Sequence, residues 1–442
     1  MAYQDFQMDN QWLPFTPNRH FRKDPRVFVA ASGMHFTTHD DRQVLDGISS
    51  LWCVGAGHNR KPINEAIKAQ LDTLDYATAF SVSNDKAFRA AEMIAHMAPG
   101  DLNKVLFCNS GSEAADTALK VALAYHRARG EGHRNLFIGR ERGYHGVGFG
   151  GMSVGGIPAN RKVFGTALLP RVDHMRFIHD PVNHAFIHNA EPEWKEDILT
   201  ELETRILPLH DPSNIAAVIV EPIAGSAGWY IPPKGYLHRL RQICDKHGIL
   251  LIFDEVITGF GRMGKPFAAD YYGVVPDMLN FAKCVTNGVI PLGGVICRDF
   301  LYDALMNGPE HVTEFFHGYT YSGHPVACAA AIATLDLFAQ ENLFERAGQM
   351  GQVLGDAMHA AFTGLPNVVS IRSLGLAGAV ELASIPGSPG KRAYDIFLDC
   401  YHHGVLVRNA GENLVLCPPY IVEKGHIDQL VGTLADAIRR HA

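Results

Sequence analysis

The stretch LLIFDEVITGFGRMGKP, Leu250 to Pro266, decides how the chain is read. It opens on an uninterrupted apolar run, ends that run on two acids, Asp254 and Glu255, and continues into glycines. A short unbroken apolar run suits a strand buried on both faces. The glycines allow two nucleotide readings. GFGRMG fits the dinucleotide fingerprint, and Gly259 to Lys265 is one residue short of a phosphate-binding P-loop. Both fail on context. The fingerprint needs its first glycine at the strand end and a helix opening on its last. Here residues intervene after Asp254, and KPFAADYYGV is no long amphipathic helix. A P-loop needs Ser or Thr after its lysine, with a backbone N–H. Pro266 supplies neither. The glycines therefore read as a tight loop, and the chemistry passes to the two acids.

Working outward, strand-like and helix-like stretches alternate. KVLFCNS precedes EAADTALKVALAYHRARG, NLFIGRERG precedes a Gly-rich stretch, and IAAVIVEP leads to GYLHRLRQICDKHG and then ILLIFDE. DMLNFAK, GGVICR and HPVACAAAIATLDLFAQ follow. This alternation predicts an α/β protein with a mostly parallel sheet flanked by helices. After Leu343 come a long helix, short strands around VVSIRSLGLAGAVEL and a final helix HIDQLVGTLADAIRRHA. Residues 58–322 are expected to form the large domain. Residues 1–57 and 323–442 are expected to join in a smaller α+β domain.

Composition removes several function classes. The net charge of −7 lacks the basic footprint of a nucleic-acid binder. No apolar run has the length of a membrane span. MAYQDFQMDNQWLPF has neither the basic start nor the apolar core of a signal peptide. The eight cysteines are scattered without a C-x-x-C, which suggests reduced thiols in a cytoplasmic protein. The histidines His179, His184 and His188 in IHDPVNHAFIH suit neither one helix face nor a zinc spacing, so they read as solvated loop residues and no metal site is expected.

In an open α/β sheet, ligands bind beyond the carboxyl ends of the strands, where Asp254 sits. A carboxylate among apolar neighbours is costly unless it faces a cation. Lys283 ends another apolar run, and burial there would lower its pKa and make it a nucleophile or base. In CNSGSEAADTALK a strand stops at a turn and a helix opens. Ser110 with Glu113 fits a capping box, and the free N–H groups beside Gly111 and Ser112 suit an anion. Tyr144 and His145, in GYHG, follow a third strand. Pyridoxal phosphate needs all of these together: a lysine for its Schiff base, an acid for its ring nitrogen, a phosphate cradle and flat contacts for its ring.

At these residues the chain resembles the class-III aminotransferases, pyridoxal phosphate enzymes of fold type I. The resemblance runs over nearly the whole chain. It is most specific in NSGSEA, RGYHG, VIVEPIAGSAG, FDEVITGFGRMG, FAKCVTNG and HGYTYSGHPVACAA. SLWCVGAGHNRKPI and IAAVIVEPIAG are similar to the ω-amino acid:pyruvate branch. The resemblance implies a seven-stranded sheet in the large domain and a site residue at each matched position. Lys283 would hold the cofactor and shuttle a proton, and Asp254 would pair with the pyridine nitrogen. Val256 and Tyr144 would cover the two ring faces, with His145 beside the ring and Glu221 near its polar edge. Ser110, Gly111 and Ser112 would bind the phosphate, joined by Thr320 of a neighbouring subunit. Trp52 would line the substrate pocket, Phe80 would enter it from the partner, and Arg408 would grip a carboxylate. The implied reaction is ping-pong transfer from an ω-amino acid such as β-alanine, or a primary amine, to pyruvate. The implied assembly is a homodimer or a dimer of dimers with active sites at the interface. An aminomutase or decarboxylase would keep the same cofactor with another outcome. Two stretches depart from the β-alanine:pyruvate pattern, Tyr76 to Phe88 and Arg408 to Tyr420.

Overall fold

The computed structural model describes residues 7–193 and 198–442. Residues 1–6, part of the amino-terminal stretch read above, lie outside it. The apolar runs become the strands of one seven-stranded sheet: β1 (Leu102–Cys108), β2 (Leu136–Arg140), β3 (Val172–Met175), β4 (Ile215–Val220), β5 (Leu250–Asp254), β6 (Met278–Phe281) and β7 (Gly293–Arg298). Their spatial order is β1-β7-β6-β5-β4-β2-β3. Every residue of β2, β4, β5 and β6 is buried, as strands covered on both faces require. Neighbouring strands from β3 through β6 pair in parallel, while β7 runs antiparallel to both β6 and β1. The sheet is therefore the mostly parallel one anticipated. The sequence reading did not single out β3, a short edge strand with only one buried residue.

Helix α1 (Gly111–Ala128) follows β1 and lies on one face of the sheet. Ala114, Ala115, Ala118 and Ala122 are fully buried on it, and such small side chains let a helix approach a sheet closely. Helix α2 (Tyr236–His247) leads into β5 and ends at Gly248, whose φ of 63° suits a glycine helix stop.

Two smaller sheets flank the large one. In the first, Phe28–Ser32, His35–Thr38 and Gln43–Asp46 are joined by Val405–Leu406, which pairs in parallel with Leu45 and Asp46. Chain near the amino terminus and chain near the carboxyl terminus therefore share one sheet. The second orders Arg408–Ala410, Asn413–Leu416, Gly378–Leu382, Val368–Ser373 and Phe186–His188. Phe186–His188 reaches this sheet from the middle of the chain, which corrects the loop reading of IHDPVNHAFIH. His188 is on that strand, and its Nε2 lies 2.7 Å from Asp356 Oδ1. His184 is buried, and burial pulls the His179 pKa down to about 4. Among the described residues no His, Cys, Asp and Glu group could hold a metal ion, and no helix is long and apolar enough to cross a membrane.

Candidate active site

The carboxyl ends of β1, β2, β4, β5 and β6 open into one cavity of about 340 Å³. This lies within the size range of small-molecule sites. Ser110, Gly111, Ser112, Tyr144 and His145 line it. Glu221, Asp254, Val256 and Lys283 line it as well. Segments distant in sequence meet here because each follows a strand of the same sheet.

Asp254 closes β5. Its Oδ2 lies 2.8 Å from His145 Nδ1, and its Oδ1 accepts from the Val256 N–H at 3.2 Å. The His145 side chain is fully buried, and its Nε2 has no partner among the described residues. A neutral His145 bonded to a carboxylate through Nδ1–H carries its lone pair on Nε2.

Glu255, read beside Asp254 as a second chemical acid, faces elsewhere. Its Oε2 accepts from Thr258 Oγ1 at 2.9 Å and from the Ala268 N–H at 2.5 Å, and its Oε1 accepts from the Ala269 N–H at 2.8 Å. Successive residues at a strand end point to opposite faces, so only one of two adjacent acids can face the cavity. Glu255 ties the glycine loop to the first N–H groups of the short helix Ala268–Tyr272, and burial raises its pKa to about 7. The loop glycines serve packing. A Cβ on Gly261 would lie 2.4 Å from the Phe344 ring, and one on Gly264 would lie 2.9 Å from Gly348 Cα.

Lys283 follows β6 in a left-handed conformation, φ 52°. β6 lies between β5 and β7, so Lys283 is no surface residue after an edge strand. Burial is the largest influence on its amine and lowers its pKa, which Arg408 reinforces and Cys53 and Asp254 oppose. A lysine so placed more readily supplies the neutral, nucleophilic amine.

Ser110 caps α1, its Oγ accepting from the Glu113 N–H at 3.2 Å. Only half of the expected capping box forms, because Glu113 Oε2 turns to the Asn109 N–H at 2.7 Å. The N-terminus of α1 therefore faces the cavity with its dipole and first N–H groups, a ready anion site. The GYHG loop presses on it. Gly146 has φ 90°, a Cβ there would fall 2.5 Å from Ser112 Cα, and Ser112 Oγ accepts from the Val147 N–H. Glu221, just past β4, holds the same loop through the Tyr144 N–H at 2.9 Å and reaches the Gly225 N–H at 3.0 Å. Burial raises the Glu221 pKa.

The chain has matches among known proteins. The family description "Aminotransferase class-III" fits residues 18–438. An omega-aminotransferase of Caulobacter vibrioides is 52% identical, over 97% of this chain and 96% of its own. The chain belongs to the class-III aminotransferase family. A beta-alanine–pyruvate aminotransferase of Pseudomonas aeruginosa is 47% identical over 97% of this chain and 95% of its own. An amine transaminase from an uncultivated Pseudomonas species, solved in its PLP-bound form, superposes with a TM-score of 0.91 at 34% identity, covering 99% of this chain and 100% of that one. This class-III aminotransferase thus has the fold-type I architecture, and its cofactor is pyridoxal phosphate. The residues fit that group: a half-buried lysine, a carboxylate held by a histidine, and a helix N-terminus converge on one cavity.

Four residues carried over from the aminotransferase resemblance lie off this cavity. Trp52, expected in the substrate pocket, is buried in the core instead. Its ring stacks on Trp229 with centroids 5.9 Å apart, and Leu51 and Cys53 line the cavity in its place. Positive φ angles at Ser49, Ser50 and Trp52 accompany this inward turn. Arg408 lines a neighbouring cavity of about 290 Å³ whose wall shares Leu51. Its Nε is buried without a partner, and its charge reaches both Lys283 and Tyr144. Phe80 and Thr320 are exposed, and Tyr76 Oη donates to the Thr320 carbonyl at 2.9 Å. Sequence reasoning passed over Asn109 and Ser226, which also line the cavity. Both lie in matched motifs, NSGSEA beginning one residue after Cys108 and VIVEPIAGSAG containing Ser226.

Proposed function

We propose that this aminotransferase moves an amino group from an ω-amino acid or primary amine to pyruvate, releasing an aldehyde, ketone or semialdehyde and forming alanine by ping-pong exchange. The observation that carries the reading is the meeting of Lys283, the Asp254–His145 pair and the α1 N-terminus in one cavity. The names of the omega-aminotransferase and beta-alanine–pyruvate relatives support the substrate class.

Lys283 holds the cofactor covalently, and its released amine moves the proton from the donor carbon. Asp254 would accept from the ring nitrogen of the cofactor, with His145 fixing the orientation of the carboxylate. Pyridoxal phosphate, when bound, supplies an electron sink for the donor carbon. Ser110, Gly111 and Ser112 present the α1 N-terminus to the phosphate. Val256 and Tyr144 would hold the ring of the cofactor, and Glu221 would support its polar edge while keeping the Tyr144 backbone in place. Arg408 binds the pyruvate carboxylate by two parallel hydrogen bonds and releases it for donors whose carboxylate is distant or missing.

The functional unit is a homodimer or a dimer of dimers in the cytoplasm, with Phe80 and Thr320 completing the partner's site. Phe80, Val82, Phe88, Phe316 and Tyr321 support this, because all are large apolar residues more than half exposed on two adjoining segments.

The test is an absorbance spectrum of cofactor-loaded protein with alanine added and then pyruvate. The visible band of the bound cofactor should fade with alanine, return with pyruvate, and be absent from Lys283→Ala. A band unchanged by alanine and by ω-amino acids would overturn the reading.

A further inference from the structure

β6 carries a single polar side chain, Asn280. It is fully buried, and among the described residues neither its amide nitrogen nor its amide oxygen has a hydrogen-bond partner. A buried amide left bare is unfavourable, and an apolar residue of the same size would avoid the cost. Its position gives a reason for it to be there. Asn280 stands in register with Asp254 on the parallel neighbour β5, and with Val295 on β7. Residues in register on adjacent strands project from the same face, with the strands about 4.8 Å apart. Ile252, Met278 and Val295 all belong to the apolar cluster beneath α1. Asp254 and Asn280 lie two residues beyond Ile252 and Met278 on their strands, so both side chains face α1 at the cavity end.

Asp254 has room for another donor. Each carboxylate oxygen can accept more than one hydrogen bond, and only His145 and the Val256 N–H are engaged. The titratable groups acting around it are His145, Lys283, Glu221 and Tyr144.

We propose that Asn280 is a positioning residue for the cofactor: its amide nitrogen donates to the Asp254 carboxylate through one enclosed water and keeps that carboxylate charged opposite the ring nitrogen. This rests on the role proposed above for Asp254. The donor acts on the ionised form, so it deepens the preference of Asp254 for carrying charge and for one orientation. The cofactor is then held more tightly, and the hold persists to lower pH.

The experiment compares wild-type holoenzyme with Asn280→Leu, Asn280→Ser, Asn280→Ala and Asp254→Asn. The cofactor dissociation constant is measured against pH by dialysis and absorbance, with the thermal midpoint of each protein alongside. Asn280→Leu keeps the volume and removes the donor. Its dissociation constant should rise about ten-fold, the scale of one hydrogen bond to a charged group, with the loss growing as the pH falls. Asn280→Ser, which restores a donor, should recover part of that loss relative to Asn280→Ala. An Asn280→Leu protein with a raised thermal midpoint and an unchanged dissociation constant at every pH would overturn the proposal, because the amide would then be a tolerated defect. If Asn280→Leu does not fold, equal constants for the Ser and Ala variants would overturn it. Asp254→Asn separates the two levels. Wild-type affinity in that variant would remove the role of Asp254 itself, whereas lost affinity there beside unchanged affinity in Asn280→Leu would remove the present inference alone.

Discussion

Replacing Glu255 by glutamine should raise stability relative to wild type as the pH climbs, and the gain should vanish as the pH falls. Glu255 is buried, and its carboxyl titrates near 7 in the folded chain against a reference value of 4.5. Between those values the folded protein keeps a proton that the unfolded chain has lost. The stability associated with this proton is complete below 4.5 and is lost as the pH rises through about 7. The whole interval corresponds to about 3 kcal/mol. Glutamine carries no charge at any pH and escapes that loss, but its amide nitrogen cannot accept, so the donors on one side of Glu255 lose their acceptor by a pH-independent amount of about 1–3 kcal/mol each. With an unfolding entropy of about 2.1 cal/mol/K per residue, 1 kcal/mol moves the thermal midpoint of a chain this long by about 1 °C. The thermal midpoint of Glu255→Gln should therefore gain about 3 °C on that of wild type between pH about 4.5 and pH about 8, on top of a constant offset from the lost acceptor. Glu255→Ala should fall below wild type throughout, because Thr258 Oγ1 and the Ala268 and Ala269 N–H groups lose their acceptor at about 1–3 kcal/mol for each. Paired calorimetric scans across the pH range measure both variants. A difference between Glu255→Gln and wild type that stays constant with pH would refute the argument, since the carboxyl would then not be titrating in this window.

Gly111→Ala would place a Cβ 2.8 Å from both methyl carbons of Val256. It should weaken cofactor binding by about ten-fold or more with little change in fold, since the clash falls inside the cavity; equilibrium dialysis measures it, and wild-type affinity would contradict this geometry. Arg408→Ala should lower kcat/KM for pyruvate by about 100-fold, the scale of a two-bond grip on a carboxylate, and lower it much less for an arylalkyl amine donor. Equal losses for both substrates would count against Arg408 as the carboxylate ligand. Trp229→Ala removes a fully buried ring and the surface on which Trp52 stacks, so unfolding stability should drop by about 3–5 kcal/mol, read as a lowered thermal midpoint.

Much of this site was legible because its residues mark the ends of buried strands. Asp254, Lys283 and Ser110 each stand where an apolar run stops, and such runs need no alignment to be seen. Glu255 was misjudged because a linear sequence gives no face to two adjacent acids, and the alternation that separates them exists only once β5 is formed. The Trp52 orientation depends on three positive φ angles and on Trp229, far away in the chain, and neither leaves a local signal. β3 and the strand Phe186–His188 are short and only partly buried, so their apolar pattern is weak. Asn280 did leave a trace, as a polar residue inside the otherwise apolar stretch DMLNFAK.

The placement of β1 has a consequence for biosynthesis. β1 ends at Cys108, yet its only neighbour in the sheet is β7, which begins at Gly293. At roughly 5–20 residues per second, a ribosome needs roughly 10–40 s to deliver that neighbour. During this interval β1 has no strand to pair with, although Lys283 is among the last residues made before β7. A nascent chain halted short of Arg298 would carry its reactive amine without a fixed cradle for the phosphate.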